Sequence, residues 1–371
     1  MEFQQENEIK TSSESSENIT EANNVSMDDT SSGCENCGSL CIEENYKFKL
    51  CKECRDKLSK RTIPIQIKLV SILLIMIILF SLSKFLHSIN MGVEYERGLR
   101  AEEALKYETA LNHYINVVKE YPESDKALVR LYVAYYNCGR IEEAFNVYDQ
   151  IAESPASNNM KKILVDEVNE TTDKLDTYYC PTQELYDKLI GLKNPKTEDI
   201  INILKPAVDK NPDEVYGAYY LANLYFDMKN YTEAGQVLSK VISRYPDFSP
   251  GYMLQAAVCR ELGKYEEAVE YCNKELEHNV EDIGAYINLS KIELKQGNNA
   301  KGLEYAKMAY EIDNKDPYIA ATLAMAYHFN NMFSERDKYY KIYQDSNIKD
   351  EYTDNLLKSI FDGTQQWQNQ I

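Results

Sequence analysis

The chain has 371 residues and a formal net charge of −19, with 60 Asp and Glu against 41 Lys and Arg. So acidic a balance repels phosphate backbones, which excludes nucleic-acid binding by the bulk of the chain, and the length allows two or three domains. The charge is uneven: residues 1–33 carry one Lys against eight acids, and residues 34–68 carry eight Lys and Arg against five acids, so a basic collar separates two acidic flanks.

Residues 1–33 are rich in Glu, Ser, Asn and Thr and almost free of large apolar side chains. Such a segment cannot bury enough surface to offset its chain entropy, so an acidic disordered tail is expected. It also lacks the basic start and apolar run of a secretion signal.

Five of the nine cysteines fall in the string CENCGSLCIEENYKFKLCKEC, Cys34 to Cys54. Two C-x-x-C pairs, Cys34/Cys37 and Cys51/Cys54, each aim two thiolates at one ion, and a hairpin at Tyr46–Leu50 would carry the second pair across to complete a tetrahedron. Gly38 suits the positive-φ turn after the first pair. The segment 34–58 resembles the zinc-ribbon family, and the resemblance implies one structural zinc held by Cys34, Cys37, Cys51 and Cys54. Cys41 is a fifth cysteine that this pattern does not need, and whether it replaces one of the four stays open.

The apolar run LVSILLIMIILFSLS, Leu69 to Ser83, is bracketed by Lys68 and Lys84. Extended to residues 65–86 it would rise about 33 Å as a helix, enough to cross a bilayer core with both lysines reaching the headgroups. It is apolar on every side, which suits lipid better than a soluble core. Lys52, Arg55, Lys57, Lys60, Arg61 and Lys68 precede it, whereas only Lys84, Arg97 and Arg100 come after it at comparable distance. The positive-inside bias then places the N-terminus in the cytoplasm and the rest of the chain outside. A reducing cytoplasm agrees with persistent thiolate ligands.

From residue 91 onward a 34-residue period dominates. YETALNHYINVVKEYP (107–122), YTEAGQVLSKVISRYP (231–246) and YEEAVEYCNKELEHNV (265–280) share Tyr followed by Ala three residues on, and the first two end in Pro. Ala110, Ala144, Ala234 and Ala268 fill a small site, Tyr107, Ile141, Tyr231, Tyr265 and Phe333 a large one, and Gly139, Gly263 and Gly297 suit left-handed helix caps. These positions resemble the tetratricopeptide-repeat (TPR) family, which implies an all-α α–α solenoid over 91–362, each repeat being helix A, a tight turn and helix B. The repeat windows are 91–124, 125–158, 181–214, 215–248, 249–282, 283–316 and 317–350, with a helical insertion at 159–180 and a tail at 363–371. Asp354–Phe361 repeats the helix-A spacing and is expected to cap the open end. The window 181–214 lacks the small and aromatic sites of helix A, and the small site holds Gly302 and Arg336 in the last two windows, which predicts looser repeats there.

The resemblance also implies a partner-binding groove lined by helix-A side chains: Tyr136, Tyr216, Tyr219, Asn223, Phe226, Arg260, Lys291 and His328. An aromatic and amide-bearing groove suits an extended peptide or a partner helix. Some TPR modules clamp a peptide's terminal carboxylate with Lys and Asn, but the matching sites here carry Val129 and Val133, Tyr219 and Asn223, and Met253 and Ala257, so a chaperone-tail receptor is not expected. The four histidines are scattered, no phosphate-cradling glycine loop occurs, and no catalytic residue is assigned. Cys259 and Cys272 face each other across one repeat, as packed thiols or as a disulfide. The expected function is a membrane-anchored TPR scaffold for protein–protein interaction at the cell envelope, not an enzyme. The alternative is a transmembrane signal transducer, its cytoplasmic zinc ribbon binding a regulator or nucleic acid and its outer TPR domain acting as sensor.

Overall fold

The structure is a computed structural model and describes residues 33–43, 46–60, 62–153 and 161–368. The acidic N-terminal segment therefore lies outside the described residues apart from Gly33. All regular elements among the described residues are α-helices, in the order α1 (Lys52–Ser59), α2 (Ile65–Glu103), α3 (Tyr107–Glu120), α4 (Asp125–Asn137), α5 (Ile141–Glu153), α6 (Lys162–Tyr179), α7 (Gln183–Ile190), α8 (Thr197–Lys210), α9 (Val215–Asp227), α10 (Tyr231–Arg244), α11 (Ser249–Glu261), α12 (Tyr265–His278), α13 (Ile283–Lys295), α14 (Asn299–Ile312), α15 (Pro317–Phe329), α16 (Phe333–Gln344) and α17 (Glu351–Phe361). The chain divides into two compact units, Met1–Ser81 and Leu82–Ile371.

In the first unit Tyr46–Leu50, the segment of the expected hairpin, forms no strand, and the Glu43 N–H donates to Leu50 O at 3.1 Å across the reversal. The backbone bends there and the second cysteine pair opens α1 instead. The sequence KECRDKLS explains this helix: it has no β-branched residue, it places Glu53 in the first turn and Lys57 in the last, and the Cys51 sulfur caps the helix by accepting from the Cys54 N–H.

The second unit is a TPR-like α–α solenoid of paired helices. Its local rule is a left-handed residue after each helix A. Leu105, Gly139, Lys229, Gly263, Gly297 and Asn331 have φ of 58°, 69°, 61°, 73°, 84° and 59°. Consecutive members on either side of the α6 insertion are 34 residues apart. Each turn closes with the same hydrogen bond, from the next residue's N–H back to a carbonyl five residues earlier: Arg140 to Tyr135 at 2.9 Å, Lys264 to Cys259 at 2.8 Å, Met332 to Tyr327 at 3.0 Å. The turn throws helix B back against helix A, and the small residues Ala110, Ala144, Ala234 and Ala268 sit at that contact with no exposed surface.

The departures have local causes. Helix A of the window 181–214 is only the eight residues of α7, which closes at Gly191, and Asn194 at φ 49° followed by Pro195 keeps it from resuming. Gly302, expected to mark a looser repeat, is tightly packed: a Cβ there would stand 2.7 Å from Leu294 Cγ. Arg336 replaces the small residue in the next repeat and lays its guanidinium on the Phe333 and Phe361 rings, at 5.0 and 5.1 Å, with Phe361 supplied by the capping helix α17.

The first two repeats also touch the fifth and sixth through their turns. The Thr109 N–H and hydroxyl donate to Glu281 at 2.9 and 2.7 Å, the Val280 N–H donates to the Leu105 carbonyl, and Arg140 bridges Glu108 and Asp313 at 3.0 and 3.1 Å. Helix α6 packs against both α4 and α9 and so carries the chain between the two arms of this closure.

The turns and their caps make two testable points. Gly263→Ala forces a Cβ into the left-handed region and should cost about 1 kcal/mol or slightly more, whereas Lys229→Gly relieves the same strain and should leave stability unchanged or raise it by up to about 1 kcal/mol; opposite shifts in thermal midpoint by circular dichroism check the pair. Asp282 caps α13 by accepting from the Ala285 N–H, and burial, reinforced by the Glu275 charge, pushes its carboxyl up to about 7. Between pH 4 and 7 the folded chain then holds a proton that the unfolded chain has lost, so this group's contribution to stability falls as pH rises through that window. Asp282→Asn keeps a capping oxygen and removes the charge. It should stabilise the chain by on the order of 1–2 kcal/mol at pH 8 and by little at pH 4.5, discounted because the side chain is only partly covered. Denaturant midpoints at the two pH values measure this.

Candidate functional site

The cysteine cluster is built from two turns. The Gly38 N–H donates to the Cys34 carbonyl and the Cys34 N–H to the Ser39 carbonyl, both at 2.8 Å, which folds the first pair around Gly38 at φ 75°. The Glu35 N–H donates to Lys49 O at 2.9 Å and ties this turn to the stretch of chain that leads into α1. The sulfurs of Cys34, Cys37, Cys51 and Cys54 all lie within 4.8 Å of one another, and those of Cys37 and Cys51 are 3.6 Å apart. Four sulfurs so placed can hold a metal ion. Asn36 donates its side-chain amide to the Cys54 sulfur at 3.3 Å, the kind of contact that steadies a thiolate. Cys41 is exposed and outside the cluster. On the flank, Arg55 pairs with Glu43 at 2.8 Å and covers the Tyr46 ring at 3.6 Å.

Helix α2 is long and apolar enough to cross a membrane. Every residue from 62 to 90 is exposed, including Leu73, Ile77 and Phe80 at half or more of their surface. Beyond residue 90 the helix acquires a packed face, with Gly98 and Ala101 buried, and just before it the exposed His87 and Ser88 hydrogen-bond to Glu120 and Tyr121 at the α3 end. A Cβ on Gly98 would stand 2.5 Å from the Tyr114 ring, so a glycine is required where α3 crosses.

The eight side chains assigned to the groove fall into three places. Tyr216, Tyr219 and Phe226 are half-buried in packing between helices, with Tyr219 against Phe248 at 5.3 Å and Phe226 against Tyr231 at 5.3 Å, and Asn223 spends its amide on the Tyr219 carbonyl of its own helix. Tyr136 lines a cavity of about 480 Å³ between the first two repeats, α6 and α12, together with Tyr179, Phe248, Glu275, Asn279 and Asp282. Burial pushes the Tyr136 hydroxyl well above its ordinary value and raises the Glu275 carboxyl. Arg260, Lys291 and His328 lie along α11, α13 and α15 under the C-terminal segment. Arg260 is buried and bound to Glu261 and Asn288, both at 2.9 Å, and Lys295 reaches Glu261 at 3.1 Å. Lys291 keeps some surface yet is enclosed by protein around its ammonium, which burial lowers to about 8. His328 stacks near Phe361 at 5.0 Å, and burial beside Arg336 lowers it. Cys259 and Cys272 are buried free thiols.

Sequence reasoning missed Glu275, Asp282 and Trp367. Glu275 lies in the last turn of α12 and Asp282 at the N-cap of α13, which read as ordinary helix ends, and Trp367 sits in a polar stretch assigned to a tail.

Three profiles described as Tetratricopeptide repeat match residues 95–159, 192–258 and 249–277. A TPR repeat-containing protein of Methanocaldococcus jannaschii is 26% identical over 206 residues, covering 54% of this chain and 34% of that protein. Lipopolysaccharide assembly protein B of Haemophilus influenzae is 24% identical over 238 residues, covering 62% of this chain and 54% of that one. This chain thus spans about a third of the first relative and about half of the second. Among solved structures, a TPR protein of Thermus thermophilus aligns with 44% of this chain and 89% of its own at 18% identity and a TM-score of 0.40. One from Parabacteroides merdae aligns with 72% and 97% at 14% identity and a TM-score of 0.40. The chain carries tetratricopeptide repeats.

Proposed function

We propose that the chain is a single-pass, membrane-anchored TPR scaffold that recruits protein partners at a cell envelope and works by binding rather than by catalysis. The observation that carries this reading is the apolar part of α2. Its side chains stand exposed from residue 65 to 86, whereas the repeat helices bury their apolar faces against one another. Burying one such side chain is worth about 1.5–3 kcal/mol, so more than a dozen left in water would cost more than a domain's whole stability. A bilayer removes that cost. Six cations before the span against three after it favour a cytoplasmic N-terminus and an extracytoplasmic TPR array. The similarity to lipopolysaccharide assembly protein B agrees with a place at an envelope membrane.

At the N-terminal end the reading includes one zinc held by Cys34, Cys37, Cys51 and Cys54. Thiolates around a tetrahedral zinc, each about 2.3 Å from the metal, lie about 3.8 Å from one another, close to the spacing the cysteines already have. Four sulfurs would fill the coordination shell, so the ion would hold the fold of residues 34–58 and leave no open position for substrate. The groove along α11, α13 and α15, with Arg260, Lys291 and His328, is where a peptide or partner helix would lie.

Metal analysis of the full chain in detergent should find about one zinc per chain, and Cys37→Ser together with Cys51→Ser should abolish it; a wild-type chain without metal would sink the site. Protease added to intact cells should digest the repeats and spare the N-terminal segment. Repeats cleaved only after lysis would reverse the orientation, and release of the chain by carbonate or high salt would remove the anchor altogether.

A further inference from the structure

Past α17 the chain does not trail into solvent. Gly363, at φ 74°, reverses it, the Gln365 N–H returns to Ser359 O at 2.9 Å, and the Thr364 hydroxyl donates to the same carbonyl. Residues 364–368 then run back over α13. Trp367, the only tryptophan in the sequence, is 7% exposed and joins the cluster of Leu294, Leu303 and Ala306. Its ring covers the Lys295 ammonium at 4.1 Å and approaches the Arg260 guanidinium at 5.8 Å. Gln368 donates its side-chain amide to Leu294 O at 2.9 Å and to Asn299 Oδ1. The segment thus lies on the helix-A side chains of α11 and α13, where a TPR array would take a partner.

The seat is prepared and its occupant is imperfect. Glu261 pins both cations under the ring, at 2.9 and 3.1 Å, so the two positive charges are positioned whether or not an indole covers them. Cation–π contact with a pair already taken out of water is favourable. Against this, the Trp367 Nε1–H is buried with no acceptor among the described residues. An unsatisfied buried donor takes back much of that gain. A competing segment that brings an aromatic ring and also satisfies its own polar groups would bind the same seat better.

We propose that residues 363–368 act as an intramolecular ligand, and that the Arg260–Lys295–Leu294–Asn299 seat takes a peptide carrying an aromatic side chain followed by an amide-bearing residue, which binds by displacing Trp367. This inference rests on the reading of the helix-A face as a partner-binding groove. It adds the chemistry that face selects and an internal competitor that lowers apparent affinity by the fraction of time the seat is open.

The single tryptophan makes displacement directly observable. Full-length chain in detergent is excited at the red edge of the indole band, so the thirty tyrosines stay silent. The probe is a synthetic peptide of residues 361–371 carrying Trp367→Phe, which is itself non-fluorescent there. Titrating it into the wild type should shift the indole emission to the red and raise its quenching by acrylamide, with saturation. A dye-labelled copy of the probe should bind a chain truncated after Gly363 at least tenfold more tightly than the wild type, and Lys295→Gln in that truncated chain should abolish the gain. An indole that stays blue and quench-protected at saturating probe overturns the proposal, as does equal affinity for truncated and full-length chains. A tail that is displaced while pull-downs capture no protein refutes the scaffold reading alone. A tail that stays docked while partners are captured refutes only this inference.

Discussion

The left-handed residue at the end of each helix A is the constraint on which the second unit depends. One positive-φ turn fixes the angle between two helices, and repeating it every 34 residues makes that angle a property of the array. Once the angle is set, the residue of helix B that faces helix A has room only for a methyl group or less in five of the repeats, where Ala110, Ala144, Ala234, Ala268 and Gly302 share one register, while Arg336 at the next position lies on the Phe333 and Phe361 rings instead. Glycine meets the φ requirement at no steric cost at 139, 263 and 297. Leucine, lysine and asparagine meet it under strain at 105, 229 and 331, held there by the packing on both sides.

A pure repeat array contacts only its neighbours, and this one does not stay pure. The insertion α6 separates the second and third windows, and the turns of the first two repeats then reach Val280, Glu281 and Asp313. The closure is polar: a threonine, a backbone pair and one arginine between two acids. It encloses carboxyls at Glu275 and Asp282 whose burial raises them, so joining the two arms costs electrostatic free energy that the hydrogen bonds at their rim offset.

The parts of this fold written in local sequence are legible, and the parts written in distance are not. Spacing alone places the TPR-like helix pairs, because Tyr, Ala and Pro recur at fixed offsets and Gly139, Gly263 and Gly297 mark the turns. Two C-x-x-C pairs announce a cluster of sulfurs, since ligand spacing is local. They carry no signal for the conformation that follows, where KECRDKLS forms α1 directly after Cys51. Gly302 reads as slack because composition shows a missing side chain and hides the Leu294 that fills its space. The pairing of Thr109 with Glu281 has no periodic signature at all. Of the residues expected to line an aromatic groove, Tyr219 and Phe226 have the right helical spacing but are engaged by neighbours that only the folded array brings near.

Charge explains why the C-terminal half of the helix-A face stands apart from the rest of an acidic chain. With a net charge of −19, free acids repel most anionic partners, yet Arg260 and Lys295 converge on one stretch of α11 and α13 with Glu261 as the partner they share, and Lys291 lies on the same helix α13. Cations taken out of water need cover that does not compete for their hydrogen bonds. An aromatic face provides it, offering electron density to the charge while excluding solvent from the pair beneath. A carboxylate would add a second acid beside Glu261 and bring its own desolvation cost. The arrangement therefore favours aromatic over acidic recognition, and the indole of Trp367 resting on Lys295 is the form that preference takes within the chain itself.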